Sequence, residues 1–343
     1  MSELHLHVGF PKCASSYLQL FCLENADRLR ELGFIYPEVF TRRNGNATPL
    51  AMSLMDRVPE FYARRAKDYT DVLEFDKLMH EQYLKHQDGK SSLLLSSEGF
   101  LKFGPEFVQE KFSKYFDKIH IYIVVRPQVS WVESHYTQRT HTGLYKGTIT
   151  DFIDKELIEN PMYRVLLLDR LYEEWVSVFT KHHVHFLYVS RNSPPIEEQF
   201  LNALSIEIDE SFDRLNRKIN PAINPAFLPI ILRLPACAYI YHLDLIKGLT
   251  KIWNAHSFDL KGSILSPEQR IEIRRRYLKH NKRFSKKTPH IPKDELCDGR
   301  EGLPYIPLDR LREREESHAF FDKAEALLEE IRERSVANDG KEV

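Results

Sequence analysis

Residues 4–21 read LHLHVGFPKCASSYLQLF, and the order of chemistry within them decides how the rest of the chain is read. Leu4 to Phe10 is a short apolar run that closes on Gly9-Phe10-Pro11, which predicts a buried strand. From Ser16 to Leu32 the period changes. Leu18, Phe21, Cys22, Leu29 and Leu32 favour one side of a helix, and Gly33 follows as a C-cap. The opening is therefore strand, tight loop, helix. A turn of small residues at that place, Pro11 to Ser16, leaves backbone N–H groups free to face an anion, and the helix N-terminus adds a favourable field. Lys12 supplies a mobile charge, and Ser15 and Ser16 supply hydroxyl donors, a set suited to phosphate or sulfate. The lysine opens the loop, so this is not the G-x-x-x-x-G-K-[ST] arrangement in which it closes it. The alternative is a plain strand–helix turn with a surface lysine, because short loops containing Ser are common.

The alternation continues outward. Strands are predicted at 34–36, 92–97 (SLLLSS), 119–125 (IHIYIVV) and 184–189 (VHFLYV), with helices at 71–86, 105–115, 128–138, 163–180 and 196–204. Strands alternating with helices imply an α/β fold of three layers, a central parallel sheet flanked by helices. Ligands of such sheets sit at the carboxyl ends of the strands, which directs attention to 11–16, Ser97-Glu98-Gly99, Arg126-Pro127 and Ser190-Arg191. Beyond residue 209 the alternation stops and the chain reads as mostly helical. Residues 1–208 are accordingly expected to form the α/β core, with an insertion at about 39–69, and 209–343 a helical part that packs on it and helps to shape a cleft. Ser266-Pro267-Glu268-Gln269 is a helix start with Ser as N-cap and Gln at N3. The helix it opens carries Arg274, Arg275, Arg276, Lys279, Lys282 and Arg283, read either as a solvated face or as a grip for an anion.

Bulk properties narrow the function classes. The chain has 343 residues, beyond the roughly 250–300 at which a single core stops growing. Its 49 basic and 50 acidic residues leave a net charge of -1, which argues against a dedicated nucleic-acid binder. Cys13, Cys22, Cys237 and Cys297 include no C-x-x-C pair, so a reducing compartment is expected. MSELHLHVGF lacks a signal-peptide pattern, and no window holds about 18 uninterrupted apolar residues. The expectation is a cytoplasmic protein without a membrane span; the sequence is silent on oligomeric state.

The strand at 119–125 runs into Arg126, and the following helix places Ser130 and Ser134 at i, i+4 spacing. An arginine fork and a neutral hydroxyl can share one terminal phosphate; local capping by Arg126 with a solvent-facing Ser134 is the alternative. Cys13 at a helix N-terminus admits a nucleophile reading, but no His or Asp partner is assignable. His182, His183 and His185 straddle a helix end and a strand start and read as a solvated turn rather than a metal site. His5 and His7 share one strand face and read as packed or edge residues, and Trp131 reads as core.

HVGFPKCASSYLQ resembles the 5′-phosphosulfate loop of sulfotransferases that use 3′-phosphoadenosine 5′-phosphosulfate (PAPS), whose usual form is close to PKTGTTxLQ. IYIVVRPQVSWVESHYTQ is similar to their 3′-phosphate motif, an apolar strand ending in Arg with a Ser eight residues later. LLLSSEGF matches the strand whose end carries the family's base, and YLKHNKRFSKK is similar to a C-terminal segment of bacterial carbohydrate-type members. The resemblance covers residues 4–205 well and 266–288 weakly. It implies a P-loop-like fold and transfer of a sulfuryl group from PAPS to a hydroxyl or amine of an acceptor, a sugar or polysaccharide by analogy, without a metal. It assigns cofactor binding to Lys12, Cys13, Ala14, Ser15, Ser16, Arg126 and Ser134, and catalysis to Lys12 and Glu98. Cys13, Ala14, Ser15 and Ser16 depart from the family's Thr, Gly and Thr-Thr; Ala14 is tolerable only where the loop does not need a positive φ. The rivals are a P-loop nucleotide kinase, which would want the GK[ST] ending and a magnesium-binding Asp after a strand, and a nucleotide-binding protein of the same fold that catalyses nothing.

Overall fold

Leu4 and Leu6, Leu93 to Leu95, and Ile121 to Val125 are all almost wholly buried, the near-continuous apolar signature of strands covered on both faces. In the computed structural model they form a five-stranded, all-parallel sheet. The structure describes residues 3–37, 45–55, 75–80, 90–215, 223–234, 239–297, 300 and 302–339. The strands are β1 (Glu3–His7), β2 (Phe34–Ile35), β3 (Ser92–Ser96), β4 (Lys118–Val125) and β5 (Val184–Tyr188), in the order β2-β3-β1-β4-β5. Leu6 pairs with Leu95 on one side and Ile121 on the other, so β1 is central. The chain moves one way from β1 to β2 and the other way from β3 to β4, which creates a crevice at the carboxyl end of β1.

The chain divides into two compact units, Met1–Pro127 with Arg164–Asn220 and His280–Leu296, and Gln128–Tyr163 with Pro221–Lys279 and Cys297–Val343. The first holds the sheet. Its helices are α1 (Ser15–Glu24), α2 (Ala26–Glu31), α3 (Thr48–Ser53), α4 (Pro105–Phe112), α6 (Leu168–Phe179) and α7 (Ile196–Ala203). Right-handed crossovers running in opposite directions set helices on opposite faces, and α4 accordingly packs on α6 while α1 packs on α7. The single helix expected over 16–32 is broken at Asn25. There the backbone leaves helical angles (φ -106, ψ 20) while its i→i−4 bonds to Phe21 O and from Leu29 N persist, and the Asn25 side chain holds the bend by donating to Phe21 O and Asp213 O and accepting from the Asp213 amide. Of the insertion expected at 39–69 only 45–55 is described, and it holds α3; of the helix expected at 71–86 only 75–80 is described. The rest of both lies outside the described residues.

The second unit is helical among its described residues: α5 (Gln128–His141), α8 (Tyr239–His256), the start of α9 (Pro267–Lys287) and α10 (His318–Asp339), with α8 packed along α10. Trp131 is core as expected, 1% exposed and stacked on His135. The cap read at Ser266 forms in both directions, Gln269 N donating to Ser266 Oγ at 3.3 Å and Ser266 N to Gln269 Oε1 at 2.9 Å. Glu133 is buried yet satisfied, accepting from Ser263 Oγ (2.8 Å), Ile264 N (3.0 Å) and Arg300 Nη1 (2.6 Å). Within the first unit the end of the basic helix α9 pairs with α6. His280 and Arg283 meet the buried Asp169 of α6 at 2.6 and 3.4 Å, and Lys287 meets Glu173 at 2.8 Å. Lys279, Lys282, Arg283, Lys286 and Lys287 are nonetheless exposed, in keeping with the reading of the basic run as a solvated face.

Candidate active site

The site is built from the turn that leaves β1. The carboxyl end of β1 is gripped from both sides, Val8 N donating to Tyr122 O and Ser97 N to His7 O. The chain then reverses through three left-handed residues, Gly9 (φ 59), Lys12 (φ 66) and Ala14 (φ 59). Gly9 is required twice over: its φ is left-handed, and a Cβ there would stand 2.9 Å from Glu98 Cγ. Lys12 and Ala14 hold a conformation that costs an L-residue roughly 1–2 kcal/mol. The sequence condition on Ala14 is therefore not met: the loop does need a positive φ there, and alanine adopts it under strain. In return the turn closes tightly. Phe10 O accepts from Cys13 N at 3.2 Å and Ser15 Oγ at 3.3 Å, and Ala14 O accepts from Tyr17 N and Leu18 N, which starts α1. The amides of Ser15 and Ser16, as the first of the helix, have no acceptor within it. Left-handed Lys12 and Ala14 on either side of Cys13, directly ahead of a helix, are a setting in which backbone amides form an anion nest.

Two cations meet at this turn. Arg126, one residue past β4, donates from Nη1 to Lys12 O at 2.6 Å. Burial, and then Arg126, hold the Lys12 amine below its ordinary pKa. A lysine part-buried beside an arginine, at the turn that leads into a helix, is an environment that favours a multiply charged anion. Cys13 is wholly buried and its thiol is pushed up to about 12, chiefly by burial, which removes it as a nucleophile.

Glu98 stands at the end of β3, on the other side of β1. Its Oε2 accepts from Gln19 Nε2 (3.2 Å) and Asn46 Nδ2 (3.0 Å). Thr48 Oγ1 in turn donates to Asn46 Oδ1 at 2.5 Å, which fixes the amide with its NH₂ towards Glu98. Gln19 and Asn46 are residues the sequence reading missed. Gln19 sits one turn into α1, a spacing that could have flagged it, whereas Asn46 lies in the stretch read as an insertion. His7, buried under the turn, shares a 2.7 Å hydrogen bond with Ser96 through Nδ1 and feels the charge of Glu98. The structure thus brings Lys12, Cys13, Ala14, Ser15, Ser16, Glu98 and Arg126 together in the first unit. Ser134 is half-buried on α5 in the second unit.

No protein-family model matches the sequence, and no curated protein is similar to it. Three solved structures are similar in chain trace. A sulfotransferase from Alicyclobacillus acidocaldarius superposes with a TM-score of 0.47 at 14% identity, over 82% of this chain and 94% of that one. The sulfotransferase domain from the curacin biosynthetic pathway gives 0.37 at 14% identity, over 66% and 85%. The sulfotransferase domain from the Synechococcus PCC 7002 olefin synthase gives 0.36 at 16% identity, over 76% and 96%.

Proposed function

We propose that the protein is a sulfotransferase that takes PAPS as donor and sulfates a hydroxyl or amine of a carbohydrate acceptor. The observation that carries this reading is that Arg126 reaches Lys12 O in the turn before α1, the two residues following adjacent central strands at the crevice of a parallel sheet. Every donor converging there is cationic or an N–H or O–H group, which fits a nucleotide bearing phosphates at two positions. PAPS would bring an activated sulfuryl group carried on a phosphate leaving group.

The chain's own residues would then divide the work. The amides of Ala14, Ser15 and Ser16 and the hydroxyl of Ser16 hold the 5′-phosphate, while the Cys13 amide and the Ser15 hydroxyl brace the turn through Phe10 O. Lys12 neutralises the charge that grows on the departing phosphate oxygen. Arg126, which also reaches Lys12 O through Nη1, offers its guanidinium fork to the 3′-phosphate. Glu98 receives the proton of the acceptor as its oxygen or nitrogen bonds to sulfur. Gln19 and Asn46, both donating to Oε2, fix the orientation of the carboxyl group and leave Oε1 to meet that proton. As in phosphoryl transfer, little covalent work falls on the protein.

The test is a transfer assay with ³⁵S-labelled PAPS against glycans, phenols and lipids. Labelled product should form with a glycan. Lys12→Ala should abolish it, and Glu98→Gln should lower it by about 10²–10⁴. Equal turnover in Lys12→Ala, or product only from magnesium ATP, would overturn the reading.

A further inference from the structure

At the end of β1 opposite the turn, the strand register gathers an unusual set of side chains. Glu3 lies beside Lys118 and His5 beside His120, while Tyr122 pairs with His185 on β5. The imidazoles of His5 and His120 stack with centroids 4.7 Å apart, and His183 meets the His120 ring edge-on at 4.8 Å. His183 and His185 therefore belong to a packed array, and of the three histidines read as a solvated turn only His182 is fully exposed.

The hydrogen bonds sort the ring nitrogens. His5 Nδ1 is bonded to Tyr122 Oη at 2.8 Å, and His120 Nδ1 to His185 Nε2 at 3.4 Å. In both rings this turns Nε2 towards Glu3 Oε2, at 4.0 and 3.9 Å, beyond hydrogen-bond distance. The other carboxylate oxygen, Oε1, is held by Lys118 Nζ at 2.9 Å. Three candidate ligand atoms thus lie within 4.8 Å of one another, each with a partner behind it that fixes its orientation. Outer partners of this kind, Tyr122 and His185 on the imidazoles and Lys118 on the carboxylate, are how metal ligands are oriented.

We propose that Glu3, His5 and His120 form a binding site for a divalent ion of the zinc class, with water as fourth ligand. Ligand atoms about 2.0–2.1 Å from a tetrahedral ion stand ~3.4 Å apart, so the Glu3 edges of the triangle close by roughly half an ångström. The two rings are nearly parallel, at 6°, so one must turn for both lone pairs to converge. The side chain of His120 is the more exposed, 19% against 9% for His5, and is the one that turns. The ion would pin β1 to β4 at the end away from the turn and take no part in transfer.

The experiment uses the full chain without a polyhistidine tag, titrated with ZnCl₂ alone in competition with a chromophoric chelator, and with CoCl₂ for its visible absorption. One equivalent should bind, with a tetrahedral cobalt spectrum and a higher melting midpoint. Glu3→Gln and His120→Gln should abolish the cobalt spectrum, and Tyr122→Phe should weaken binding about 10–100-fold. His182→Gln should change nothing. Each variant is first checked for an unchanged metal-free far-UV spectrum and melting midpoint, and Glu3→Gln, at a part-exposed position, serves if His120→Gln fails that check. Absence of stoichiometric binding, or the same affinity and spectrum in Glu3→Gln, would overturn the proposal.

Discussion

Ala14→Gly should make the protein more stable, although it removes a side chain. Ala14 sits at φ 59, ψ 13 as the residue before α1. That backbone costs alanine roughly 1–2 kcal/mol and glycine almost nothing. Glycine gives back part of the gain because it frees the unfolded chain by about 0.4–1 kcal/mol. The net expectation is a gain of ~0.5–1 kcal/mol, or about 1–3 °C in melting midpoint, by analogy with domains of 150–250 residues. Ala14→Val runs the other way, because a β-branched side chain tolerates this backbone worst, and should lose more than about 1 kcal/mol. Lys12→Gly separates strain from charge: it should gain stability in the same manner while losing anion binding. Urea midpoints of the three variants, with m-values to confirm unchanged cooperativity, decide the matter. Equal or lower stability in Ala14→Gly would refute the left-handed turn and, with it, the cradle of amides built on it.

Three further outcomes follow from the same coordinates. Gly9→Ala places a Cβ 2.9 Å from Glu98 Cγ on a left-handed backbone and should cost about 1–3 kcal/mol in urea unfolding. Glu133→Ala leaves Ser263, Ile264 N and Arg300 without their shared acceptor and should cost about 3–5 kcal/mol. His242 is 3% exposed, and burial, then Lys146, hold it down to about 4. Its folded pKa lies below its unfolded one, so the unfolded chain binds the extra proton. Its contribution is therefore intact above pH 6.5 and lost as the pH falls from there to about 4; urea midpoints across that window should drop with pH, and His242→Gln should flatten the slope.

Much of the fold was legible because short continuous apolar runs alternate with period-3.6 stretches along much of residues 4–204. The position of β1 in the middle of the sheet was not, since parallel pairing joins Leu6 to Leu95 and Ile121 across long stretches of chain that local pattern does not encode. At the site, Lys12, Glu98 and Arg126 were visible as polar residues following apolar runs. The support of Glu98 was not: Asn46 acts through a tertiary contact, and its stretch looked like irregular insertion. The left-handed φ of Ala14 escaped because alanine is the wrong residue for it, so residue type pointed away from the conformation. The histidine array was missed because His5, His120 and His185 are unremarkable singly and become a cluster only once strand register sets them side by side.

The central claim is that Lys12 and Arg126 serve one doubly phosphorylated adenosine. Titration calorimetry with adenosine 3′,5′-bisphosphate tests it most directly. Saturable binding to the native chain is expected, weakened about 10–100-fold by either Lys12→Ala or Arg126→Ala, as loss of a charge-assisted hydrogen bond implies. No binding at millimolar concentration, or unchanged affinity in both variants, would contradict it.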